Sequence, residues 1–342
     1  MNKISFFIIS RFIIAISTII NVPLISCNNN KEKNIGSIER IDPALESVVD
    51  TDASISIIAE GFDWSEGPLW VEKNKMLLFS DVPQNCIYKW TVEKGKELYL
   101  KPSGYTGSIS RGGETGSNGL TLNNKGQLVL CQHGDRRMAI MNAPLDKPKA
   151  EFTTIASNYN GKKFDSPNDA VYRSNGDLFF TDPPYGLEKN ATDPLKEAPF
   201  QGVYKVSPDG KVTLLVDSIK RPNGLAFMPG NKRIIIASSD SEKAVWYAYD
   251  FNENDSLTNG RIFYDATQDA KVNKGLPDGL KIDRNGTVFA TGPGGIYIFD
   301  KSAKLLGKIR INSLASNCSF ADDEKTLYVT ADMYVLKIRL RK

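Results

Sequence analysis

One pattern recurs six times along most of this chain and limits what the chain can fold into. Each copy has a turn with a polar residue, usually followed by Gly, then an apolar strand, a turn rich in Gly, Asn, Asp and Lys, and a second apolar strand. The copies are SEGPLWVEKNKMLLFSD from Ser65, SNGLTLNNKGQLVLCQH from Ser117, PNDAVYRSNGDLFFTD from Pro167, PNGLAFMPGNKRIIIAS from Pro222, PDGLKIDRNGTVFATG from Pro277 and SNCSFADDEKTLYVTA from Ser316. In the first five copies the polar turn residues recur every 50 to 55 residues, and they are Glu66, Asn118, Asn168, Asn223 and Asp278. The sixth copy follows sooner, and its turn is less clear.

A repeat of this length, built from hairpin-forming strands, predicts an all-β fold: a six-bladed β-propeller with four-stranded blades over residues 55–342. The outer strands of the blades are visible in NCIYKW, GVYKVSP and GGIYIFD, which alternate apolar and polar residues. No segment keeps the 3.6-residue periodicity of a helix, which disfavours a doubly wound α/β fold. We expect residues 55–62 to pair with the last blade near YVLKIRL, because this closes the ring and removes free strand edges.

The first 27 residues, MNKISFFIISRFIIAISTIINVPLISC, have the features of an export segment. A lysine near the start precedes a long apolar run, which ends in LISC and resembles a bacterial lipoprotein signal. This interpretation makes Cys27 the lipidated first residue of a mature, membrane-anchored exported protein, facing the periplasm or the cell surface. A plain signal peptide and an uncleaved membrane anchor are the alternatives. Residues 28–54 are polar and aperiodic, which predicts a tether between the anchor and the propeller.

The composition excludes several classes of function. With 43 Lys and Arg against 40 Asp and Glu, the net charge is only +3, so no nucleic-acid partner is expected. A single histidine rules out a multi-histidine metal site. The sequence has no G-x-S-x-G motif of a hydrolase nucleophile and no G-x-G-x-x-G or Walker A motif for nucleotides.

The repeated polar residues indicate a site on the propeller axis. The first strand of each blade lies nearest this axis, so the turns that lead into these strands meet at one mouth of the central channel. Gly after the polar residue permits a positive φ, and Pro before it fixes the backbone. Two carboxylates and several amide oxygens are hard ligands that suit Ca²⁺ best, although Mg²⁺, Mn²⁺ or Zn²⁺ also fit. The alternative is that each residue is only a good turn former.

Several of these motifs also resemble a known family. SEGPLW, SPNDAV, FTDPPYG, RPNGLAF, LPDGLKI and KTLYVTA are similar, in this order, to the senescence-marker-protein/gluconolactonase/luciferin-regenerating-enzyme-like family, which includes regucalcin. The resemblance covers roughly residues 55–342, and CQHGDRR is most like the bacterial gluconolactonases. It implies a six-bladed propeller that holds one divalent cation and hydrolyses a lactone. It also implies that Glu66, Asn168, Asn223 and Asp278 bind the cation, and that Asp278 transfers protons.

The resemblance leaves the substrate contacts open. Animal members have an arginine where this chain has Ser166, so the contacts to sugar hydroxyl groups must differ. The residues that we predict to contact the substrate are Asn118, His133, Arg136, Ser166, Asp182 and Tyr185. The Gly- and Ser-rich residues 101–119 form either a mobile lip over the pocket or a plain long loop.

The predicted function is therefore a metal-dependent hydrolase that opens sugar lactones, with a small-molecule lactone as the substrate. A calcium-dependent esterase or phosphotriesterase is one alternative. A non-catalytic propeller that binds a surface partner is the other.

Overall fold

The computed structural model describes residues 35–341. The predicted export segment, Cys27 and the start of the predicted tether lie outside these residues. Within the described part, no helix is long and apolar enough to cross a membrane.

Six antiparallel sheets form the blades of a propeller, which confirms the predicted fold. Each sheet takes four consecutive strands of the repeat, except that the last sheet borrows its fourth strand from the N-terminal side. Blades 1 to 3 comprise Ser65–Val71, Met76–Asp81, Cys86–Thr91 and Gly95–Leu100; Ser117–Leu122, Leu128–Gln132, Arg137–Met141 and Phe152–Ala156; and Ala170–Tyr172, Leu178–Asp182, Gly202–Val206 and Val212–Val216. Blades 4 to 6 comprise Pro222–Phe227, Arg233–Asp240, Lys243–Phe251 and Leu257–Asp265; Leu280–Ile282, Val288–Gly292, Gly295–Phe299 and Leu305–Ile311; and Ala315–Ala321, Thr326–Ala331, Tyr334–Arg339 and Ile55–Glu60. The first strand of each blade contacts the first strands of both neighbouring blades, so six inner strands surround the axis.

Elements outside the blades are short. They are the hairpin Asn158–Tyr159 with Lys162–Lys163, the 3-10 helices Pro43–Ser47, Glu72–Asn74 and Asn190–Thr192, and the α-helix Thr267–Ala270. The apolar strand faces pack between neighbouring blades, so the core is divided into layers such as the one between blades 4 and 5, where Trp246 is fully buried.

The ring closes as predicted. Strand Ile55–Glu60 pairs antiparallel with Tyr334–Arg339, and Ile55 lies opposite Ile338. The N-terminal side of the chain thereby supplies the outer strand of the last blade and covers its edge.

The predicted tether is wrong for the part that the structure describes. Strand Gly36–Arg40 pairs with Leu305–Ile311 and adds a fifth strand to blade 5. Leu45 and Val49 that follow it are completely buried in the core between blades 5 and 6. A few apolar residues dispersed among charged ones are enough to attach this segment to the propeller. The edge of blade 5 provides backbone hydrogen-bond partners, and the core provides an apolar surface.

The glycines that follow the polar turn residues let the inner strands approach one another. Only Gly67 has the expected positive φ, at 51°, among Gly67, Gly119, Gly224 and Gly279. At Gly224, an added Cβ would lie 2.4 Å from the backbone oxygen of Asp278, and at Gly119 it would lie 2.6 Å from that of Asn168. Each of these glycine N–H groups instead donates to that oxygen. The glycines therefore fix the distance between neighbouring polar turn residues.

Candidate active site

The five repeated polar residues line a single pocket of about 340 Å³ at one mouth of the channel. We call Glu66, Asn118, Asn168, Asn223 and Asp278 the oxygen ring. The other residues that line the pocket are Trp64, Glu114, Tyr185, Arg221, Ser239, Gly275, Leu276, Leu314 and Ala315. Five positions that are 50 to 55 residues apart in sequence thus converge, as the repeat predicts.

Local backbone irregularities aim the ring residues at the pocket. The pairing of the first two strands shifts register after Glu66 in blade 1, between Ser117 and Leu120 in blade 2, and between Pro222 and Leu225 in blade 4. Such bulges disrupt the ladder locally and redirect a side chain. In these three blades the ring side chain therefore leaves the regular alternation of the strand.

Three oxygens of the ring are buried without a hydrogen-bond partner in the described structure. They are Oδ1 of Asn118, Oδ1 of Asn223 and Oδ1 of Asp278. The Asn223 amide is oriented because its Nδ2 donates to Oγ of Ser239 at 3.0 Å, and that hydroxyl donates to the carbonyl of Pro277. An unpaired buried acceptor costs about 1–3 kcal/mol. Three of them facing one pocket indicate a place for a ligand that accepts electron pairs.

The two carboxyl groups of the ring are electrostatically strained. Glu66 is 2% exposed, and burial raises the pKa of its carboxyl to about 8, although the Gly67 N–H donates to it at 2.8 Å. Burial raises the pKa of Asp278 well above its ordinary value, and the nearby Glu66 and Asp169 raise it further. Both acids lack a compensating charge in the ring itself, which a bound cation would supply.

The ring fits a divalent cation by its donor chemistry. Within residues 35–341, no group of three His, Cys, Asp or Glu side chains is arranged to hold a metal ion, so a site here depends on amide oxygens. The two carboxylates and the orphaned amide oxygens provide an all-oxygen set of mixed type. Ca²⁺ accepts such mixed and irregular sets more readily than Mg²⁺ does.

Comparison with known proteins identifies the family. The family model SMP-30/Gluconolactonase/LRE-like region matches residues 64–332. This chain belongs to that family. It is 37% identical over 320 residues to a gluconolactonase of Zymomonas mobilis, a match that covers 92% of this chain and 89% of that protein. It is 23% identical over 275 residues to a pentonolactonase of Haloferax volcanii, with 78% and 80% covered. A solved gluconolactonase structure from Xanthomonas campestris aligns with a TM-score of 0.76 at 26% identity and covers 90% of this chain and 97% of its own.

In this SMP-30/gluconolactonase family member, only some of the six predicted substrate contacts line the pocket. Asn118 and Tyr185 line the pocket. Burial raises the pKa of the Tyr185 phenol, and a hydrogen bond with Ser239 opposes the rise. His133 does not line the pocket, but its Nδ1 lies 3.2 Å from Oε2 of Glu114, which does.

Arg136, Ser166 and Asp182 form a separate set that we call the turn group, and none of the three lines the pocket in this structure. Nε of Arg136 donates to the carbonyl of Phe164 at 2.6 Å. The Ser166 hydroxyl donates to the carbonyl of Pro183 and accepts the N–H of Gly186. The Asp182 carboxylate accepts the N–H groups of Asp165 and Ser166 at 2.9 and 2.7 Å. The two Ser166 contacts hold the turn at residues 183–187, which carries Tyr185.

Sequence reasoning missed four residues at or beside the site. Glu114, Arg221 and Ser239 line the pocket. Asn317, the polar residue of the sixth copy, hydrogen-bonds to Glu66. Its Nδ2 also donates to Oδ2 of Asp169 at 3.4 Å. The SNC segment of the sixth copy is a signal that would have found Asn317. Glu114 lies in an aperiodic loop, where no repeat indicates it.

The long loop at residues 101–119 is anchored at its start. Oδ1 of Asn85 accepts the backbone N–H groups of Ser103, Gly104 and Tyr105. The carboxylate of Asp135 accepts both the N–H and the hydroxyl of Thr106. The loop is therefore fixed to blades 1 and 2 before it reaches the pocket.

Proposed function

We propose that this protein hydrolyses sugar lactones, with aldonolactones such as gluconolactone as the substrate class, and that it does so with one bound divalent cation. The observation that carries the proposal is the set of three unpartnered buried oxygens in one pocket, on Asn118, Asn223 and Asp278. The names of the Zymomonas mobilis and Haloferax volcanii relatives support the lactone as substrate.

Glu66, Asn168, Asn223 and Asp278 would hold the cation, and Ca²⁺ suits this set best. When bound, the cation supplies electrostatic stabilisation for the negative charge that develops on the lactone carbonyl oxygen. The two acidic side chains balance its charge, and the Ser239 hydroxyl keeps the amide oxygen of Asn223 directed at the pocket.

Asp278 is the residue for proton transfer. Water adds to the carbonyl carbon, and the bond between this carbon and the ring oxygen breaks, which gives a hydroxy acid. The Asp278 carboxylate accepts a proton from the attacking water and returns a proton to the departing ring oxygen. This transfer would require one of the two Asp278 carboxylate oxygens to remain free when the cation is bound.

The N-terminal segment gives a second, separate proposal about location. The apolar run that ends in LISC supports lipidation of Cys27 and attachment of the exported protein to a membrane. Mass spectrometry of protein from the native host should find lipid on Cys27 in the membrane fraction. An unmodified Cys27 in soluble material would contradict this proposal.

A panel of lactones, assayed by acid release with and without a chelator, tests the proposed activity. We expect aldonolactones to be opened, chelation to abolish the activity and Ca²⁺ to restore it. Full activity after complete removal of divalent cations would overturn the role of the metal. Hydrolysis of phosphotriesters but of no lactone would overturn the substrate class.

A further inference from the structure

Among the described residues that line the pocket, three carry a carboxylate: Glu66, Asp278 and Glu114. Of these, only Glu114 lies outside the inner strands and the turns that lead into them. It lies on the loop between blades 1 and 2, and its side chain is 34% exposed, whereas Glu66 of the oxygen ring is 2% exposed and Oδ1 of Asp278 is buried. Glu114 is therefore an acid of the pocket wall whose side chain is partly open to solvent. A ligand that extends away from the oxygen ring would meet it there.

A buried histidine lies behind this carboxylate. His133 is completely buried, and its Nδ1 is 3.2 Å from Oε2 of Glu114. The contact has the length of a hydrogen bond without its alignment, so neither ring nitrogen has a hydrogen-bond partner in the described structure. A buried imidazole without a hydrogen-bond partner costs stability. The Glu114 carboxylate lies within hydrogen-bond distance of it.

The surrounding backbone fixes the pair in place. The Arg111 guanidinium donates to the carbonyl of Gly134 at 2.8 Å and to the carbonyl of Gly186. An added Cβ on Gly186 would lie 2.8 Å from Cβ of His133, so the turn at residues 183–187 packs directly on the histidine. Glu114 is thus carried by a loop that is attached both to blade 2 and to the turn of blade 3.

We propose that Glu114, held by His133, accepts hydrogen bonds from the hydroxyl groups of the sugar ring and so selects polyhydroxylated lactones. This inference rests on the proposed function. An ionised carboxylate offers about four acceptor positions, enough for two neighbouring hydroxyl groups, and hydrogen bonds to a charged group are the stronger ones. A lactone without hydroxyl groups would leave this carboxylate desolvated and unpaired, which is how a polar pocket rejects an apolar analogue.

Comparison of two lactones in one variant isolates this role. The probes are D-glucono-δ-lactone, which carries hydroxyl groups, and δ-valerolactone, which has none. We expect Glu114→Gln to lower kcat/KM for gluconolactone about 10- to 100-fold, mainly through KM, since a hydrogen bond to a charged group is worth about 1.5–3 kcal/mol. The value for δ-valerolactone should stay unchanged or rise, because the variant has no carboxylate that this lactone would desolvate. Equal losses for both lactones would overturn the proposal, because they would place Glu114 in the chemistry or in the folding of the loop.

A matched control comes from the neighbouring exposed acid Glu188. Its side chain packs against Gly112 of the same loop, and it does not line the pocket. Glu188→Gln removes the same charge close by, so it should leave kcat/KM for both lactones unchanged. A selective loss for gluconolactone in this variant would show that charge alone, rather than the Glu114 contact, causes the effect, and would overturn the proposal.

In this proposal His133 positions the Glu114 carboxylate. A purely structural role of His133 would affect both lactones equally, so selectivity between the two lactones is the readout. His133→Ala should reduce kcat/KM selectively for gluconolactone, and it should cause little further loss in a Glu114→Gln background. His133→Asn keeps a donor near the position of Nδ1 and should retain more activity than His133→Ala. If His133→Ala does not fold, the comparison of His133→Asn with and without Glu114→Gln carries the test, and additive losses would overturn the coupling.

Failure of the proposed function can be separated from failure of this inference. If the wild-type protein hydrolyses neither lactone, the proposed function fails. Hydroxyl recognition is then measured directly by titration with D-glucose, which has the hydroxylated ring without the lactone carbonyl. Weaker glucose binding by Glu114→Gln than by Glu188→Gln would support the contact, and equal binding by both variants would overturn it.

Discussion

The oxygen ring and the turn group are both polar and mostly buried, but their polar atoms have different partners. In the ring, acceptors on Asn118, Asn223 and Asp278 face the pocket without a hydrogen bond in the described structure. In the turn group, the oxygens of Ser166 and Asp182 are occupied by backbone groups of their own blade. Both regions contain a buried acid, so the pairing of the side-chain oxygens is what distinguishes the candidate site from a structural latch.

This difference gives a rule for such pockets. A buried polar group that is fully bonded to the backbone stabilises a local conformation, whereas an orphaned acceptor costs stability, and several that converge on one pocket indicate a ligand. The same chemical change should therefore have different consequences in the two regions. In the ring it should reduce activity, and in the turn group it should reduce stability.

The largest effect is expected in the ring. Asp278→Asn keeps the shape and one ligand oxygen but removes the charge and the proton acceptor, so kcat should fall by about 10²–10⁴-fold at saturating Ca²⁺. Steady-state kinetics over a range of Ca²⁺ concentrations separates the loss of the cation from the loss of the base. Recovery of the full kcat by excess Ca²⁺ would mean that Asp278 acts only as a ligand.

The second expected effect couples pH to the cation. Burial raises the pKa of Glu66 from 4.5 to about 8, so the cation-free folded protein holds a proton that the unfolded chain releases. Its free energy of unfolding therefore decreases as pH rises from 4.5 to 8. The cation replaces this proton, so Ca²⁺ should raise Tm more at pH 8.5 than at pH 5. At 100 times its Kd the ligand contributes about 2.7 kcal/mol.

Thermal melts with Ca²⁺ or with chelator at the two pH values provide the measurement. Burial also raises the pKa of Asp182 to about 8, but this group lies in the turn group and acts equally with and without the cation. The difference between the paired melts therefore isolates the ring. An equal Ca²⁺ effect at both pH values would contradict the assignment of Glu66 as a ligand.

Asp182→Asn makes the same substitution in the turn group as Asp278→Asn makes in the ring. It leaves one of two buried backbone N–H groups without an acceptor, which should lower the free energy of unfolding by about 1–3 kcal/mol. Urea denaturation measures this loss, and kcat of the folded enzyme should stay close to the wild-type value. A large fall in kcat with unchanged stability would place Asp182 in the active site after all.

The smallest effect is expected for Ser166→Ala. The variant loses the hydroxyl that joins Pro183 to Gly186, so stability should decrease by about 0.5–1.5 kcal/mol. KM for gluconolactone should stay close to the wild-type value, because Ser166 contacts the turn that carries Tyr185 and does not line the pocket. A large increase in KM with wild-type stability would restore the interpretation of Ser166 as a substrate contact.

Sequence reasoning predicts the regular part of this molecule well, because the same pattern of turns and strands occurs six times in the sequence. The period gives the blades, and the repeated polar turns give the members of the oxygen ring. The strand Gly36–Arg40 was missed because its partner, the edge of blade 5, is about 270 residues away in sequence and leaves no local pattern. Arg136, Ser166 and Asp182 do not line the pocket, and the sequence could not show this because it does not reveal which polar side chains hydrogen-bond to the backbone.

A crystal structure of the protein grown with Ca²⁺ tests the central claim most directly. The account predicts one ion in the pocket, with oxygens of Glu66, Asn168, Asn223 and Asp278 within about 2.3–2.6 Å. An ion bound elsewhere in the molecule, or an oxygen ring that turns away from bound Ca²⁺, would contradict it.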